Sequence, residues 1–125
     1  MLGGHDVGAT LAVSDFEASR KFYEDTLGLT TATAMEGAAI YTSGASRLLV
    51  YESEFAGTNK ATAATWEVGG AFDPVIDDLR GKGVVFEQYD DLPGTTRDGD
   101  IHTMGEVRGV WFKEPDGNIL SIVDQ

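Results

Sequence analysis

The sequence has 125 residues, of which 42% are hydrophobic and 24% charged, a balance that indicates one globular domain and excludes fibrous and disordered chains. Its 21 acidic and nine basic residues give a net charge of −12, which opposes binding to nucleic acid and to anionic lipid surfaces. There is no cysteine, so disulfides, thiol nucleophiles and cysteine metal sites are excluded.

The first half of the chain begins with a strand followed by a helix. Alternation of apolar and small or polar residues predicts a strand over Gly8–Ser14. Ser14 and Glu17 form a capping-box pattern and Gly28 suits a helix C-cap, so we expect a helix over Asp15–Leu27. Short β-like runs separated by glycine-containing turns then predict three strands, at Leu29–Met35, Ala38–Thr42 and Arg47–Ser53.

The second half of the chain repeats this order. A strand is predicted over Ala61–Val68. Asp73, as an N-cap, and Pro74 predict the start of a second helix, which ends near Gly81. Three further strands follow, the last two joined by a tight Pro-Asp-Gly-Asn turn, at Val84–Phe86, Val107–Lys113 and Asn118–Val123.

The segment Gln88–Glu106 shows little periodicity and is expected to be a long loop. Loops of this length in small domains are often functional lids or disordered segments. Four aspartates in it would bring negative charge to the mouth of a cleft, where they would attract a cation: Asp90, Asp91, Asp98 and Asp100.

The order strand–helix–three strands therefore occurs twice. We expect a first module over residues 1–56, a connector over 57–60 and a second module over 61–125. One such module has too small a core to be stable alone. The sequence predicts an α+β domain of two tandem βαβββ modules, with curved mixed sheets around a shared cleft.

Two stretches carry a resemblance to a known family, Val13–Leu29 near the start and Trp111–Leu120 near the end. With the duplicated βαβββ pattern, they resemble the vicinal oxygen chelate superfamily, also called the glyoxalase, bleomycin-resistance and extradiol-dioxygenase superfamily. The resemblance covers nearly the whole chain. It implies the fold, but this scaffold hosts several enzyme chemistries as well as non-catalytic drug binders.

Enzymes of that superfamily hold a divalent metal with His and Glu side chains from four strands. The resemblance places the corresponding positions at Gly8, Leu49, Ala63 and Ser121. None of these is a usual ligand for a divalent metal, so neither a metal nor another cofactor is expected. A different metal set, formed by His102, Glu67 and Glu52, stays open as an alternative.

Strand alternation predicts cleft-facing side chains that are mostly small or apolar, with a few hydroxyls and one carboxylate. Such a lining suits an aromatic or amphipathic small molecule, for which nearby aromatic rings could offer flat surfaces. The candidate ligand-binding residues are Tyr41, Leu49, Tyr51, Phe55, Ala63, Thr65, Glu67, His102, Met104, Trp111 and Ser121.

Three functions remain open from the sequence. The resemblance to the bleomycin-resistance branch implies a metal-independent protein that sequesters a hydrophobic or cationic compound, such as an antibiotic, in the cleft of a homodimer. The second hypothesis is a lyase, isomerase or dioxygenase with Glu67 as general base and His102 as acid. The third is an interaction or regulatory domain with a vestigial cleft. No membrane span and no signal peptide are predicted, so a cytoplasmic location is expected.

Overall fold

Each half of the chain folds around a β-sheet of its own. The computed structural model describes residues 1–125. They form two compact units, the first over Met1–Thr58 and the second over Asn59–Gln125. The fold is α+β with two modules, as the duplicated sequence pattern predicts. No helix is both long and apolar enough to cross a bilayer.

The first unit contains one helix and a four-stranded sheet. A short 3₁₀ turn, Leu2–Gly4, precedes the first strand. The sheet order is β1-β4-β3-β2, with β1 parallel to β4 and the other pairs antiparallel. Its elements are β1 (Ala9–Val13), α1 (Phe16–Lys21) continued by a π-helical turn (Phe22–Thr26), β2 (Thr30–Met35), β3 (Ala38–Ser43) and β4 (Ser46–Glu52).

Helix α1 begins one residue later than the capping-box pattern requires. Asp15 occupies the N-cap position, and its carboxylate accepts the backbone N–H of Ala18 at 3.3 Å. Because Phe16 is the first helical residue, Ser14 lies outside the helix and the predicted capping box is wrong. The helix ends in a wider turn, in which the N–H of Leu27 reaches the carbonyl of Phe22 at 2.9 Å.

The two faces of the first sheet differ sharply in burial. Leu48 and Val50 are buried on the face that packs against the helix, together with Tyr41, whose ring stacks on Tyr23. Leu49 lies between them on the opposite face and is only half-buried. We call this opposite face the open face of the first sheet; it carries Thr10, Ile40, Arg47, Leu49 and Tyr51.

The second unit contains one helix and a five-stranded sheet of order β5-β9-β8-β7-β6, one strand more than the repeat predicts. Its helix and strands pack a core of Phe72, Ile76, Leu79, Val110, Phe112, Leu120 and Ile122. The elements are β5 (Thr62–Glu67), a 3₁₀ turn (Gly69–Ala71), α2 (Phe72–Gly81), β6 (Thr95–Asp98), β7 (Ile101–Met104), β8 (Val107–Lys113) and β9 (Ile119–Val123).

Two predicted boundaries in this unit are wrong. Asp73 is not an N-cap, because the preceding 3₁₀ turn carries the chain into a helix that already begins at Phe72. The predicted strand Val84–Phe86 is reduced to a single bridge between Phe86 and Phe112, and the side chain of Val85 is 82% exposed.

The expected loop Gln88–Glu106 contains the β6–β7 hairpin, so its prediction as irregular chain is wrong. Ion pairs hold this segment in place. Arg97 contacts Asp90 at 2.8 Å, and Arg80 of helix α2 contacts Asp100 at 3.0 Å. Because β6 is a polar edge strand, it lacks the strong apolar alternation that a half-buried strand shows in sequence.

Candidate functional site

A pocket of about 910 Å³ lies on the open face of the first sheet. The N-terminal segment before β1 forms one side of it, and strands β1, β3 and β4 form the floor. All of its lining residues belong to the first unit: His5, Asp6, Val7, Gly8, Ala9, Thr10, Ile40, Ala45, Ser46, Arg47 and Leu49.

Strand register fixes the floor of this pocket. Leu49 of β4 pairs with Thr10 on one side and Ile40 on the other, which gives a largely apolar row. Arg47 precedes Leu49 by two residues and therefore shares its face. Gly8 lies beside Arg47, so close that a Cβ atom at position 8 would come within 3.1 Å of the Arg47 carbonyl oxygen. The row next to the apolar one therefore contains the guanidinium of Arg47 beside Gly8, which has no side chain.

A second group of candidate residues lies on one face of the second sheet. Thr65, Ser121 and Trp111 pair in one row across β5, β9 and β8. Glu67 and His102 lie in the adjacent row, which runs from Glu67 through His102 to Arg97 of the edge strand β6. Strand alternation predicted the shared face of Thr65, Glu67 and Ser121, whereas His102 was expected in a loop.

Three rings on this face form a compact aromatic cluster, which we define as Tyr89, His102 and Trp111. The centroid of His102 lies 4.8 Å from that of Trp111 and 5.9 Å from that of Tyr89. Tyr89 and Trp111 meet edge to face at 5.5 Å, and Trp111 Nε1 donates a hydrogen bond to Thr62 Oγ1. Burial, with a smaller effect of the Glu87 charge, raises the pKa of Tyr89.

The comparisons with known proteins agree with this architecture. A profile of the Glyoxalase/Bleomycin resistance protein/Dioxygenase superfamily matches residues 7–122. The chain belongs to this superfamily. No curated protein sequence matches the chain.

Solved structures of the superfamily fold resemble the chain over nearly its full length. An integron cassette protein from the mobile metagenome of the Halifax Harbour sewage outfall has a TM-score of 0.72 at 16% identity, covering 97% of this chain and 98% of that one. Lactoylglutathione lyase from Agrobacterium tumefaciens has a TM-score of 0.70 at 15% identity, covering 95% and 92%. The fosfomycin resistance protein from Mesorhizobium loti has a TM-score of 0.68 at 12% identity, covering 97% and 92%. At these identities the likeness concerns the fold alone.

The residues that the resemblance places at four metal-ligand positions do not fit a divalent metal. Gly8 and Leu49 offer no donor atom from a side chain, and neither does Ala63 in β5. Ser121 is buried and offers only a hydroxyl. No group of three or more His, Asp or Glu side chains in the chain is arranged to hold a metal ion.

His102 is a buried residue of strand β7 and not the loop residue that we expected. Its Nε2 accepts the backbone N–H of Tyr89 at 3.0 Å, so Nδ1 carries the proton and donates to the carbonyl of Asp100 at 3.0 Å. Both ring nitrogens are thus engaged within the chain. This arrangement leaves His102 no lone pair for the alternative metal set and no proton to give a substrate, which argues against its predicted role as an acid.

Tyr41 does not line the open face, which corrects its prediction as a ligand contact. Its ring lies on the helix-packed face, and its hydroxyl donates to Glu24 at 2.8 Å. Burial, followed by the hydrogen bond with Glu24, raises the pKa of Tyr41. Tyr51 does lie on the open face and is 38% exposed, and Phe55 is exposed in the turn after β4.

Ala63 and Met104, two further candidate residues, both lie in the second sheet. Register between β5 and β9 shifts between Thr62 and Ala64, so Ala63 lies in a bulge where strict alternation fails. Met104 lies on the same face as His102. Gly109 is paired with His102, and a Cβ atom placed on Gly109 would lie 3.5 Å from Met104 Cε.

Sequence reasoning missed most of the pocket. Of the candidate ligand-binding residues, only Leu49 lines it. Arg47 has the same strand parity as Leu49, so alternation contained the signal that places it there. His5, Asp6 and Val7 lie outside any regular strand, and no sequence pattern pointed to them.

Proposed function

We propose that this protein is a metal-independent binder of a hydrophobic small molecule, which it holds in the pocket on the open face of the first sheet. The observation that carries the proposal is the pocket itself. Its volume of about 910 Å³ falls within the range of about 300–1,000 Å³ that is usual for small-molecule sites. Leu49, Ile40 and Val7 supply the apolar contacts.

The chemistry of the pocket floor supports binding without a metal. Gly8 and Leu49, which the resemblance assigns to two metal-ligand positions of the superfamily, both line the pocket. A ligand there would contact an aliphatic side chain and bare backbone where the superfamily's enzymes offer metal ligands. The driving force would be burial of apolar surface, worth about 25 cal/mol for each Å².

Antibiotic-like compounds belong among the candidate ligands. One structural neighbour is a fosfomycin resistance protein and another is a lactoylglutathione lyase. These two proteins share their fold with this chain, and their names describe their own activities. We include an antibiotic resistance role in the proposal, and growth protection in cells tests it separately.

A homodimer is also part of the proposal, as the superfamily resemblance implies. Strand β2, Thr30–Met35, supports it as a surface for a second copy, because all six of its residues are exposed and none is charged. It lies at the outer edge of the first sheet, where unpaired backbone groups favour pairing with another strand. In a chain of net charge −12, an uncharged edge is where two copies repel each other least.

Titration with N-phenyl-1-naphthylamine, a neutral apolar dye whose fluorescence rises in apolar surroundings, tests the binding proposal. We expect saturable binding at one site per chain, unchanged by a chelator. Ile40→Trp fills the pocket floor and should weaken binding at least about tenfold, since about 1.4 kcal/mol of lost contact is enough. Val85→Trp, at an exposed position of the second unit, is the matched control.

Two results would contradict the proposal. One is the absence of saturable binding for this dye and for a broad library of apolar compounds. The other is binding that is equally strong in folded Ile40→Trp, with folding checked by cooperative thermal unfolding. For the dimer, light scattering should give twice the chain mass, and Thr31→Lys with Thr33→Lys in β2 should give the monomer mass.

A further inference from the structure

The pocket has a charged end, and its one guanidinium is unlike the other arginines of the chain. We propose that the ligand carries an anionic oxygen group, such as a carboxylate or a sulfonate, and that Arg47 binds this group. The inference rests on the proposed function, because it concerns the ligand of the same pocket. It names the chemical class of that ligand.

Arg47 differs from the other arginines of the chain in its ion pairs. Four of the five arginines contact a carboxylate, at 2.9 Å for Arg20, 3.0 Å for Arg80, 2.8 Å for Arg97 and 3.0 Å for Arg108. Arg47 makes no ion pair, although the chain has 21 acidic residues. The arginine that lacks a carboxylate partner is thus the one that lines the pocket.

The surroundings of the Arg47 side chain also suit an anionic group. It shares the open face with Leu49, and Gly8, which packs closely against the Arg47 backbone, has no side chain that could pair with the guanidinium. A planar guanidinium presents a fork of N–H donors that suits a carboxylate or a similar oxyanion. A ligand could place this anion at Arg47 and its apolar body along the row of Thr10, Leu49 and Ile40.

Opposing charges act on such an anion as well. Asp6 lines the same pocket, and its carboxylate should weaken the binding of an anion. The net charge of −12 also opposes anions at long range, and from composition alone it favours a cation. Salt screens that field beyond about 8 Å, whereas a direct contact with Arg47 acts at hydrogen-bond distance. The direct contact with Arg47 therefore outweighs the long-range field, while Asp6 acts against it at short range.

Two dyes with a shared aromatic skeleton test this inference. 8-Anilinonaphthalene-1-sulfonate carries a sulfonate, and N-phenyl-1-naphthylamine is the same skeleton without it. We expect the sulfonate dye to bind at least about tenfold more tightly, because a hydrogen bond between two charged groups is stronger than one between neutral groups. Arg47→Met should remove this preference, so that the ratio of the two dyes' affinities falls at least about tenfold relative to the unaltered protein.

Three further variants sharpen the result. Arg47→Lys should keep part of the preference, since it retains the charge without the planar fork. Asp6→Asn should raise the affinity for the sulfonate dye alone. Lys60→Met, which removes a cation of the connector that lies outside the pocket, should leave both dyes unaffected.

The outcomes separate the two proposals. If the neutral dye binds in an Ile40-dependent manner but Arg47→Met changes both dyes equally or neither, the inference about the anion is wrong and the proposed function stands. If neither dye shows Ile40-dependent binding, the proposed function fails and the inference falls with it. Selective loss of the sulfonate dye in Arg47→Met supports both.

Discussion

The imidazole of His102 and the backbone of Tyr89 are joined by a hydrogen bond of 3.0 Å, from the Tyr89 N–H to His102 Nε2. This bond connects the chain just after Phe86 to strand β7, and the other ring nitrogen connects β7 to the carbonyl of Asp100. A fully buried histidine with both nitrogens engaged acts as a structural clamp of the second unit.

The clamp predicts a loss of stability when its hydrogen bonds are removed. His102→Phe keeps an aromatic ring but leaves the Tyr89 N–H and the Asp100 carbonyl without their partner. We expect the free energy of unfolding in urea to fall by about 1–3 kcal/mol. Thr103→Ala, on the same strand, should cost less. Equal stability of His102→Phe and the unaltered protein would show that the clamp does not contribute.

The tight turn between β8 and β9 depends on Glu114, which is buried. Its Oε1 accepts the backbone N–H groups of Asp116 at 2.6 Å and Asn118 at 2.9 Å. Glu114→Ala removes the acceptor that both N–H groups share and should lower the free energy of unfolding by about 2–3 kcal/mol, whereas Glu114→Gln keeps one oxygen and should cost less. Glu106→Ala, at an exposed turn position, serves as control in the same urea titration.

Glu24 makes part of the stability dependent on pH. Its carboxylate accepts hydrogen bonds from Arg20 at 2.9 Å and from Tyr41 at 2.8 Å, and these two donors hold the pKa of Glu24 below its ordinary value of 4.5. The folded protein therefore binds this proton less readily than the unfolded chain. The resulting stabilisation is present above pH 4.5 and is lost as the pH falls through the lower folded pKa.

Tyr41→Phe tests this linkage, because it removes one donor and little volume. At pH 7 the variant should lose about 1 kcal/mol of unfolding free energy. The difference from the unaltered protein should shrink once the pH is below the folded pKa of Glu24, where the carboxyl is protonated in both proteins. Urea unfolding at pH 7 and in acid measures it, and a difference that grows towards acid would have the wrong sign.

Glu67 separates the binding hypothesis from the enzyme hypothesis. Its side chain is exposed on the second sheet, and it does not line the pocket of the first sheet. Glu67→Gln should leave the affinity for N-phenyl-1-naphthylamine within about twofold, because it removes no pocket contact. Discovery of a catalysed reaction that this variant abolishes would instead support Glu67 as the general base.

Much of the fold could be predicted because its central strands follow simple alternation. Strand β8 was predicted at its observed bounds, Val107–Lys113, and β9 within one residue. The β6–β7 hairpin was missed because β6 is short and polar and shows no apolar alternation. Its local signal is the Gly99-Asp100 turn that joins the two strands.

The candidate site was predictable only where a regular strand carries it. Parity placed Leu49, Tyr51 and Thr65 on the faces they occupy, but it gave no orientation for Tyr41, which lies against the helix. The pocket needs the N-terminal segment around Asp6 as a side wall, and that wall arises from tertiary packing of irregular chain.

The most direct test of the binding account is to locate the ligand. Titration of ¹⁵N-labelled protein with 8-anilinonaphthalene-1-sulfonate, followed by amide chemical shifts, maps the residues that respond. The account predicts saturable shifts centred on Thr10, Ile40, Arg47 and Leu49, which lose amplitude in Ile40→Trp. Shifts centred instead on the second sheet, around Thr65 and Trp111, would contradict it.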